Sequence, residues 1–217
     1  MCGRFSFDID HKELKTRYPY HKITPVNSIF NFAPSMSLPI IITNHVIEMK
    51  WGLVPYWAKN KAFKPLINAR GETINEKPSF KHLVDSNRCL IISNGFYEWN
   101  TKTKKPYFIQ PANSKIMTFG GLFDMYKEKE NDKSYTYTFT ILTTEANEKL
   151  SGTHHRMPLI LKKEEEHEWI MKKPYNEVKH LIKPLASDEV NMQEISTLVN
   201  STKNNTSEIQ NKILRLL

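Results

Sequence analysis

Cys89-Leu90-Ile91-Ile92-Ser93-Asn94-Gly95-Phe96-Tyr97-Glu98-Trp99 is the stretch that decides the fold. Two short runs of β-branched and aromatic residues flank Ser93-Asn94-Gly95, whose residue types favour a turn, so both runs read as strands. Outward from it, Tyr107 to Gln110, Ile116 to Phe123 and Tyr135 to Leu142 share that composition and read as further strands. Ile40-Ile41-Ile42 and Val46 to Trp51 flank Thr43-Asn44-His45, a hairpin signal. Pro158 to Leu161 reads as a short buried strand, and Gln193 to Val199 as the one that closes the sheet. Helices are expected from Asp8 or Asp10 to about Tyr18 with Leu14 inward, and from Pro78 to about Arg88 with Phe80, Leu83 and Val84 inside. Two more are expected at Glu164 to Lys172 and Asn176 to Ile182, and the tail carries Ile209, Ile213 and Leu217 at helical spacing. Residues 19–38, with Pro25 and Pro34, read as a loop, and Trp51 to Trp57 as an aromatic loop broken by Pro55. Strands and helices do not alternate regularly. The expected class is therefore α+β, with a mostly antiparallel, barrel-like sheet. No repeat or linker marks a boundary, so residues 1–217 are expected to form a single domain.

Composition narrows the function. Hydrophobic residues make up 39% of the 217, enough for a sizeable core. Cys2 and Cys89 are the only cysteines, which excludes a disulfide framework and a cysteine zinc site. No apolar run approaches the roughly 20 residues of a membrane span. The N-terminus lacks a signal-peptide layout, so a cytoplasmic protein is expected. A net charge of +8 favours a polyanionic partner such as nucleic acid, although no basic tail concentrates it.

Cys2 has a particular fate. Aminopeptidases remove an initiator Met when the next side chain is small. The chain would then begin with a 1,2-aminothiol, whose amine titrates at about 7.7–8.0 and whose thiol at about 8.5. Such a terminus condenses with an aldehyde to an imine, and the thiol closes on it to a five-membered thiazolidine. A small second residue is common, so the reading depends on partners elsewhere. In Asn68-Ala69-Arg70-Gly71-Glu72-Thr73, Arg70 can grip a phosphate and Asn68 can orient a reacting group, though a solvated loop fits the same run. On a strand, Phe96 and Glu98 share one face, and Tyr97 and Trp99 the other. A carboxylate so placed is poorly solvated and its pKa rises, which suits a general acid or base; an exposed edge glutamate is the alternative. His154 can exchange protons near neutral pH. No Cys or carboxylate stands at ligand spacing from His154 and His155, so no metal is expected. Cys89 opens an apolar run and reads as a core thiol.

Six blocks occur in order: Met1-Cys2-Gly3-Arg4-Phe5, Asn31-Phe32-Ala33-Pro34, Trp51-Gly52-Leu53-Val54-Pro55-Tyr56-Trp57, Asn68-Ala69-Arg70-Gly71-Glu72-Thr73, Gly95-Phe96-Tyr97-Glu98-Trp99 and His154-His155-Arg156-Met157-Pro158. Together they resemble the SRAP family, the SOS response-associated peptidase proteins, over the chain to about residue 200. The resemblance implies a bifurcated sheet with a small barrel and peripheral helices. It implies a DNA-damage protein that crosslinks through Cys2, as a thiazolidine, to abasic sites in single-stranded DNA. Asn68 would position Cys2, while Glu98 and His154 would act as acid/base groups. Arg4, Arg70 and the Trp51–Trp57 loop would contact DNA, with Thr144 on the backbone. The expected partner is single-stranded DNA carrying abasic sites, bound by a monomer without cofactor, metal or membrane, and nucleoid-associated when on DNA. An imine intermediate also implies lyase activity. Two other readings stay open. One is a cysteine peptidase pairing Cys2 with His154, with removal of Met1 as its minimal form. The other is a non-catalytic reader of single-stranded or modified DNA.

Overall fold

The computed structural model describes residues 2–43, 45–58, 63–128 and 133–213. In chain order the strands are β1 (Phe5–Phe7), β2 (Ile29–Phe32), β3 (Ser37–Ile41), β4 (Val46–Trp51), β5 (Asn68–Arg70), β6 (Arg88–Ser93), β7 (Gly95–Trp99), β8 (Pro106–Pro111), β9 (Met117–Tyr126), β10 (Thr136–Glu145), β11 (Arg156–Pro158), β12 (Ile160–Leu161) and β13 (Val190–Glu194). The helices are α1 (His11–Arg17), α2 (Glu148–Ser151), α3 (Lys163–Ile170) and α4 (Tyr175–Val178).

The stretch from Cys89 to Trp99 is divided between two sheets. β6 pairs with β3 and β9, whereas β7 pairs with β1 and β8. The chain crosses over at Gly95, where a Cβ would lie 2.5 Å from the Ile109 carbonyl and 2.6 Å from the Phe108 ring. Only glycine fits so close a backbone approach. Ser93 clamps the crossing: its Oγ donates to the Gly95 carbonyl at 2.9 Å and accepts from the Gly95 N–H at 2.8 Å.

The β6 sheet closes on itself, because β10 pairs with β4, β4 with β3, β3 with β6, β6 with β9, and β9 again with β10. This five-membered ring is the small barrel. Strand β10 is ten residues long and changes neighbours along its length. Its Thr136–Ile141 segment runs antiparallel to β9, and Thr143–Glu145 antiparallel to β11. On the other edge it runs parallel first to β4 and then to β5. Along β9 the partner changes from β10 to β12, and there the sheet forks. The second sheet is antiparallel, in the order β13-β8-β7-β1-β2. One core joins the two: Phe5 of β1 packs 4.6 Å from Phe32, 5.1 Å from Trp51 and 5.8 Å from Phe119, ring centre to ring centre. Fully burying one such ring is worth about 1.5–3 kcal/mol. The mixed α+β domain with antiparallel sheets, fork and barrel agrees with the expected class.

Several local expectations change. Residues 19–38 hold β2 and the start of β3; Ile29–Phe32 is a short strand paired on β1, with no periodicity of its own. Between Pro78 and Arg88 the chain makes consecutive turns, such as Phe80 N–H to the Lys77 carbonyl and Leu83 N–H to the Phe80 carbonyl. Phe80, Leu83 and Val84 are nonetheless buried. Pro158 to Leu161 is interrupted at Leu159, whose N–H bonds the Leu142 carbonyl while its own carbonyl accepts from Gly120. β13 starts at Val190, and Thr197–Asn200 is a 3₁₀ turn. The tail forms a 3₁₀ turn at Ser207–Gln210. Met1, Asn44 and Leu217, on which expectations also rest, lie outside the described residues. At α1 the expectation holds: Asp10 accepts from the Lys12 N–H at 2.7 Å and Leu14 is buried. Among the described residues no helix is long and apolar enough to cross a membrane.

Candidate active site

β1 lies between β2 and β7, with Phe5 opposite Phe96. The antiparallel pairing carries the chain before Phe5 along the far end of β7. There the Tyr97 N–H donates to the Arg4 carbonyl at 2.9 Å. The Cys2 thiol donates to the same carbonyl at 3.7 Å. Cys2 is fully buried, and its thiol pKa is pushed well up, first by burial and then by the charge of Glu98.

Asn68 reaches the same point from the barrel. β5 is held on β10, with Asn68 opposite Ile141, and the Asn68 Nδ2 donates to the Cys2 carbonyl at 2.8 Å. Its Oδ1 is buried without a hydrogen-bond partner among the described residues. That leaves an acceptor beside Cys2, where an amine or hydroxyl proton can be received.

Glu98 is 4% exposed, and Phe96, two residues back on the same strand face, is fully buried. The Trp99 N–H lies 3.4 Å from Glu98 Oε1. Burial raises the carboxyl pKa above the usual glutamate value. The structure thus takes the buried alternative for Glu98 over the exposed edge.

His154 follows α2, its N–H bonded to the Leu150 carbonyl. Its Nδ1 accepts from the Arg156 N–H at 2.9 Å, so the neutral ring carries its proton on Nε2. Burial first, then the N-terminal ammonium and the stacked His155 ring 4.5 Å away, hold the imidazole below its ordinary pKa. The Thr101 N–H to the Thr153 carbonyl and the Asn100 amide to the Gly152 carbonyl, both 3.0 Å, tie the loop before His154 to the end of β7. Cys2, Asn68 and Glu98 therefore meet at one place, and the His154 loop is fastened to its rim.

The expected DNA-contacting residues divide. Arg70 is exposed at the end of β5. Trp57 is 43% exposed and edge-on to Phe63. Arg4 is half-buried. Trp51 is instead a core residue, 1% exposed, stacked on Phe32 and Phe139 with its Nε1 on the Ile67 carbonyl. As the last residue of β4 it points into the barrel, so it offers no face for a base. Thr144 is 2% exposed, and its Oγ1 donates to the Glu145 carbonyl. Neither Trp51 nor Thr144 is brought to the surface.

Sequence reasoning gave no role to Arg156 and Glu72. They form a bidentate pair, both bonds 2.8 Å, and Arg156 also donates to the Thr143 carbonyl. Partial burial opposes ionisation of Glu72, but the Arg156 pair outweighs it and holds the carboxyl below its usual value. The pair fixes β11, and with it the His154 turn, against the segment after β5. Both residues stood in the quoted blocks, so the signal was available. Among the described residues, no group of three or more His, Cys, Asp or Glu side chains gathers to hold a metal.

The forked fold with a second-residue cysteine over a buried glutamate defines the class, and the sequence comparisons agree with it. The chain belongs to the SOS response associated peptidase (SRAP) family, whose profile matches residues 1–202. It is 36% identical to the abasic site processing protein YoqW of Bacillus subtilis, over 96% of this chain and 98% of that one. It is 33% identical to the abasic site processing protein HMCES of Gallus gallus, over 82% of this chain and 64% of that one. A solved protein structure from Bacteroides thetaiotaomicron superposes with a TM-score of 0.89 and 27% identity, over 98% of this chain and all of that one.

Proposed function

We propose that this chain processes abasic sites in DNA, by forming a thiazolidine between Cys2 and the ring-opened sugar in a single strand. The observation that carries this reading is the grip of the Asn68 amide on the Cys2 carbonyl, with the Glu98 carboxyl acting on the Cys2 thiol. The names of the relatives, abasic site processing proteins, point the same way.

The chemistry follows from the groups at hand. Until the bond to Met1 is cut, the Cys2 nitrogen is an amide and cannot attack, so loss of Met1 is the first requirement. The closed sugar opens to its aldehyde when protonated His154 gives its Nε2 proton to the ring oxygen as the C–O bond breaks, and His154 takes back the proton that the anomeric hydroxyl loses. The neutral Cys2 amine attacks the aldehyde carbon, and Glu98 carries one amine proton to the oxygen, giving a carbinolamine. Glu98 then carries the second amine proton to that hydroxyl, which leaves as water and gives a neutral imine. The thiol sulfur then bonds the imine carbon, and its proton passes to the ring nitrogen through Glu98. A carboxyl with a raised pKa suits both directions of transfer. The imine also permits β-elimination of the 3′ phosphate, which is the lyase activity. The raised thiol pKa weighs against a peptidase that needs a thiolate at rest.

The test is a denaturing gel of abasic single-stranded DNA incubated with protein whose intact mass shows loss of Met1. Wild type should give a stable shifted band. Cys2→Ala keeps an α-amine, so its adduct should appear only after borohydride trapping. A stable, untrapped band from Cys2→Ala equal to wild type removes the thiol from the mechanism. Acetylating the N-terminus should abolish the band and spare binding; a protein that binds DNA and never crosslinks is a reader.

A further inference from the structure

The sheet that carries Glu98 is strapped by the last part of the chain. The Trp99 Nε1 donates to Asn200 Oδ1 at 2.7 Å. The Asn31 amide, 1% exposed, donates to the carbonyls of Asn204 at 2.8 Å, Ser201 at 3.0 Å and Val199 at 3.3 Å. The Asn31 N–H is received by Asn205 Oδ1 at 3.1 Å. Asn204 and Asn205 lie beyond the residues matched by the family profile.

This strap converges on Arg4. Arg4 Nη1 donates to Asn31 Oδ1 at 2.7 Å and to the Val199 carbonyl at 3.1 Å, and the guanidinium lies 5.9 Å over the Trp99 ring. Both Nη1 hydrogens are thereby used. Nε is buried without a hydrogen-bond partner among the described residues. Nη2 makes no hydrogen bond among the described residues and, unlike Nε, is not closed off, so it is the donor left to take a phosphate oxygen.

We infer that Asn31 and the strap Val199–Asn205 are positioning elements: they clamp the Nη1 side of Arg4 and so aim its Nη2 at a phosphate of the bound single strand. This rests on the reading of the protein as a single-strand binder. Asn31 acts through Arg4 and touches no reacting atom. Its position inside one of the six blocks is explained by this hub, and Asn204 and Asn205, outside the family match, become part of what aims Arg4.

The test is binding of an undamaged single-stranded oligonucleotide across a salt series, which does not depend on crosslinking. Wild type, Arg4→Ala, Asn31→Ala and the double variant are compared, with a thermal melt of each. For single strands the slope of log K against log salt is about −0.7 per phosphate contact. Arg4→Ala and Asn31→Ala should each make the slope shallower by about 0.7, and the double variant by no more than either alone. A merely structural Asn31 would lower the melting temperature and leave the slope unchanged; that result, or additive slope changes, overturns the proposal. If Asn31→Ala does not fold, the exposed Asn200→Ala takes its place in the same cycle. Releasing Trp99 from Asn200 should then make the slope shallower in wild type and change nothing in the Arg4→Ala background; no change in either background overturns the proposal. Failure of wild type to crosslink abasic DNA while the coupling holds would sink the crosslinking function and leave this inference standing.

Discussion

Glu98 and Glu166 are about equally buried, 4% and 5% exposed, yet their surroundings differ in kind. Glu166 sits on α3 and meets a guanidinium and a phenol: Arg17 Nη2 at 2.8 Å and the Tyr18 hydroxyl at 3.1 Å. Tyr18 is held in turn by Thr118 at 2.9 Å, and burial followed by the Glu166 charge pushes its pKa up. Glu98 sits at the open end of β7 with a thiol as neighbour, and burial raises its own pKa over the opposing pull of the N-terminal ammonium. Burial of a carboxylate is thus compatible with opposite purposes. A guanidinium fixed in the fold makes the charge a structural part; a nucleophile in contact, with burial outweighing the nearest positive charge, makes the proton available for exchange.

The largest expected effect separates the two on the reaction. Glu98→Gln removes a proton acceptor of the kind typically worth about 10²–10⁴-fold in rate. Time courses of adduct formation should slow by that order and still reach the same product. In wild type the rate should fall as the pH drops through the raised Glu98 pKa, because the base is then protonated; the Glu98→Gln variant should lack that limb. Glu166→Gln should leave the rate of the folded protein unchanged. Equal slowing by both would erase the distinction drawn from their neighbours.

Second in size is stability. Glu166→Gln leaves Arg17 without its carboxylate in a poorly solvated place, a loss of about 1–3 kcal/mol. Tyr18→Phe removes the hydroxyl between Glu166 and Thr118 and should cost about 1 kcal/mol. Denaturant melts read both. A neutral Glu166→Gln would mean that Arg17 simply turns to solvent, its side chain being 17% exposed.

The two glutamates also mark what the sequence could reveal. Glu98 stood in a strand of large aromatics, and alternation alone placed it on the Phe96 face. Glu166 stood in Glu164-Glu165-Glu166, where nothing local separates a buried acid from solvated ones. Its partners Arg17 and Tyr18 come from the end of α1, 149 and 148 positions away, so only the tertiary fold assigns it. The strands β6 to β10 and the β3–β4 hairpin were legible because β-branched and aromatic runs are local signals. The barrel closure was not, since it depends on β10 changing partners along its length. Trp51 and Trp57 looked alike in one aromatic loop; the burial of one and exposure of the other follows from where β4 ends. Asn31 was visible only as part of a block, because its strap partners lie 168–174 positions away and Arg4 lies 27 away.

The smallest effect tests the comparison most finely, through the sign of a pH dependence. The folded-state pKa of Glu98 lies above its ordinary value of about 4.3. Between those two values the folded protein keeps a proton that the unfolded chain releases, so stability falls as the pH rises across that window. Above the raised value the full cost of burying the charge is present. The amide of the Glu98→Gln variant carries no charge at any pH. The variant should therefore match wild type below about pH 4 and become the more stable of the two toward pH 8. Thermal melts of both proteins at pH 4, 6 and 8 measure the divergence. Glu166→Gln should be the less stable partner of its pair at pH 8, where its carboxylate is bound to Arg17. A Glu98→Gln protein that is less stable than wild type at pH 8 would place Glu98 among the structural carboxylates with Glu166. The raised pKa would then no longer mark a group held ready to exchange protons with Cys2.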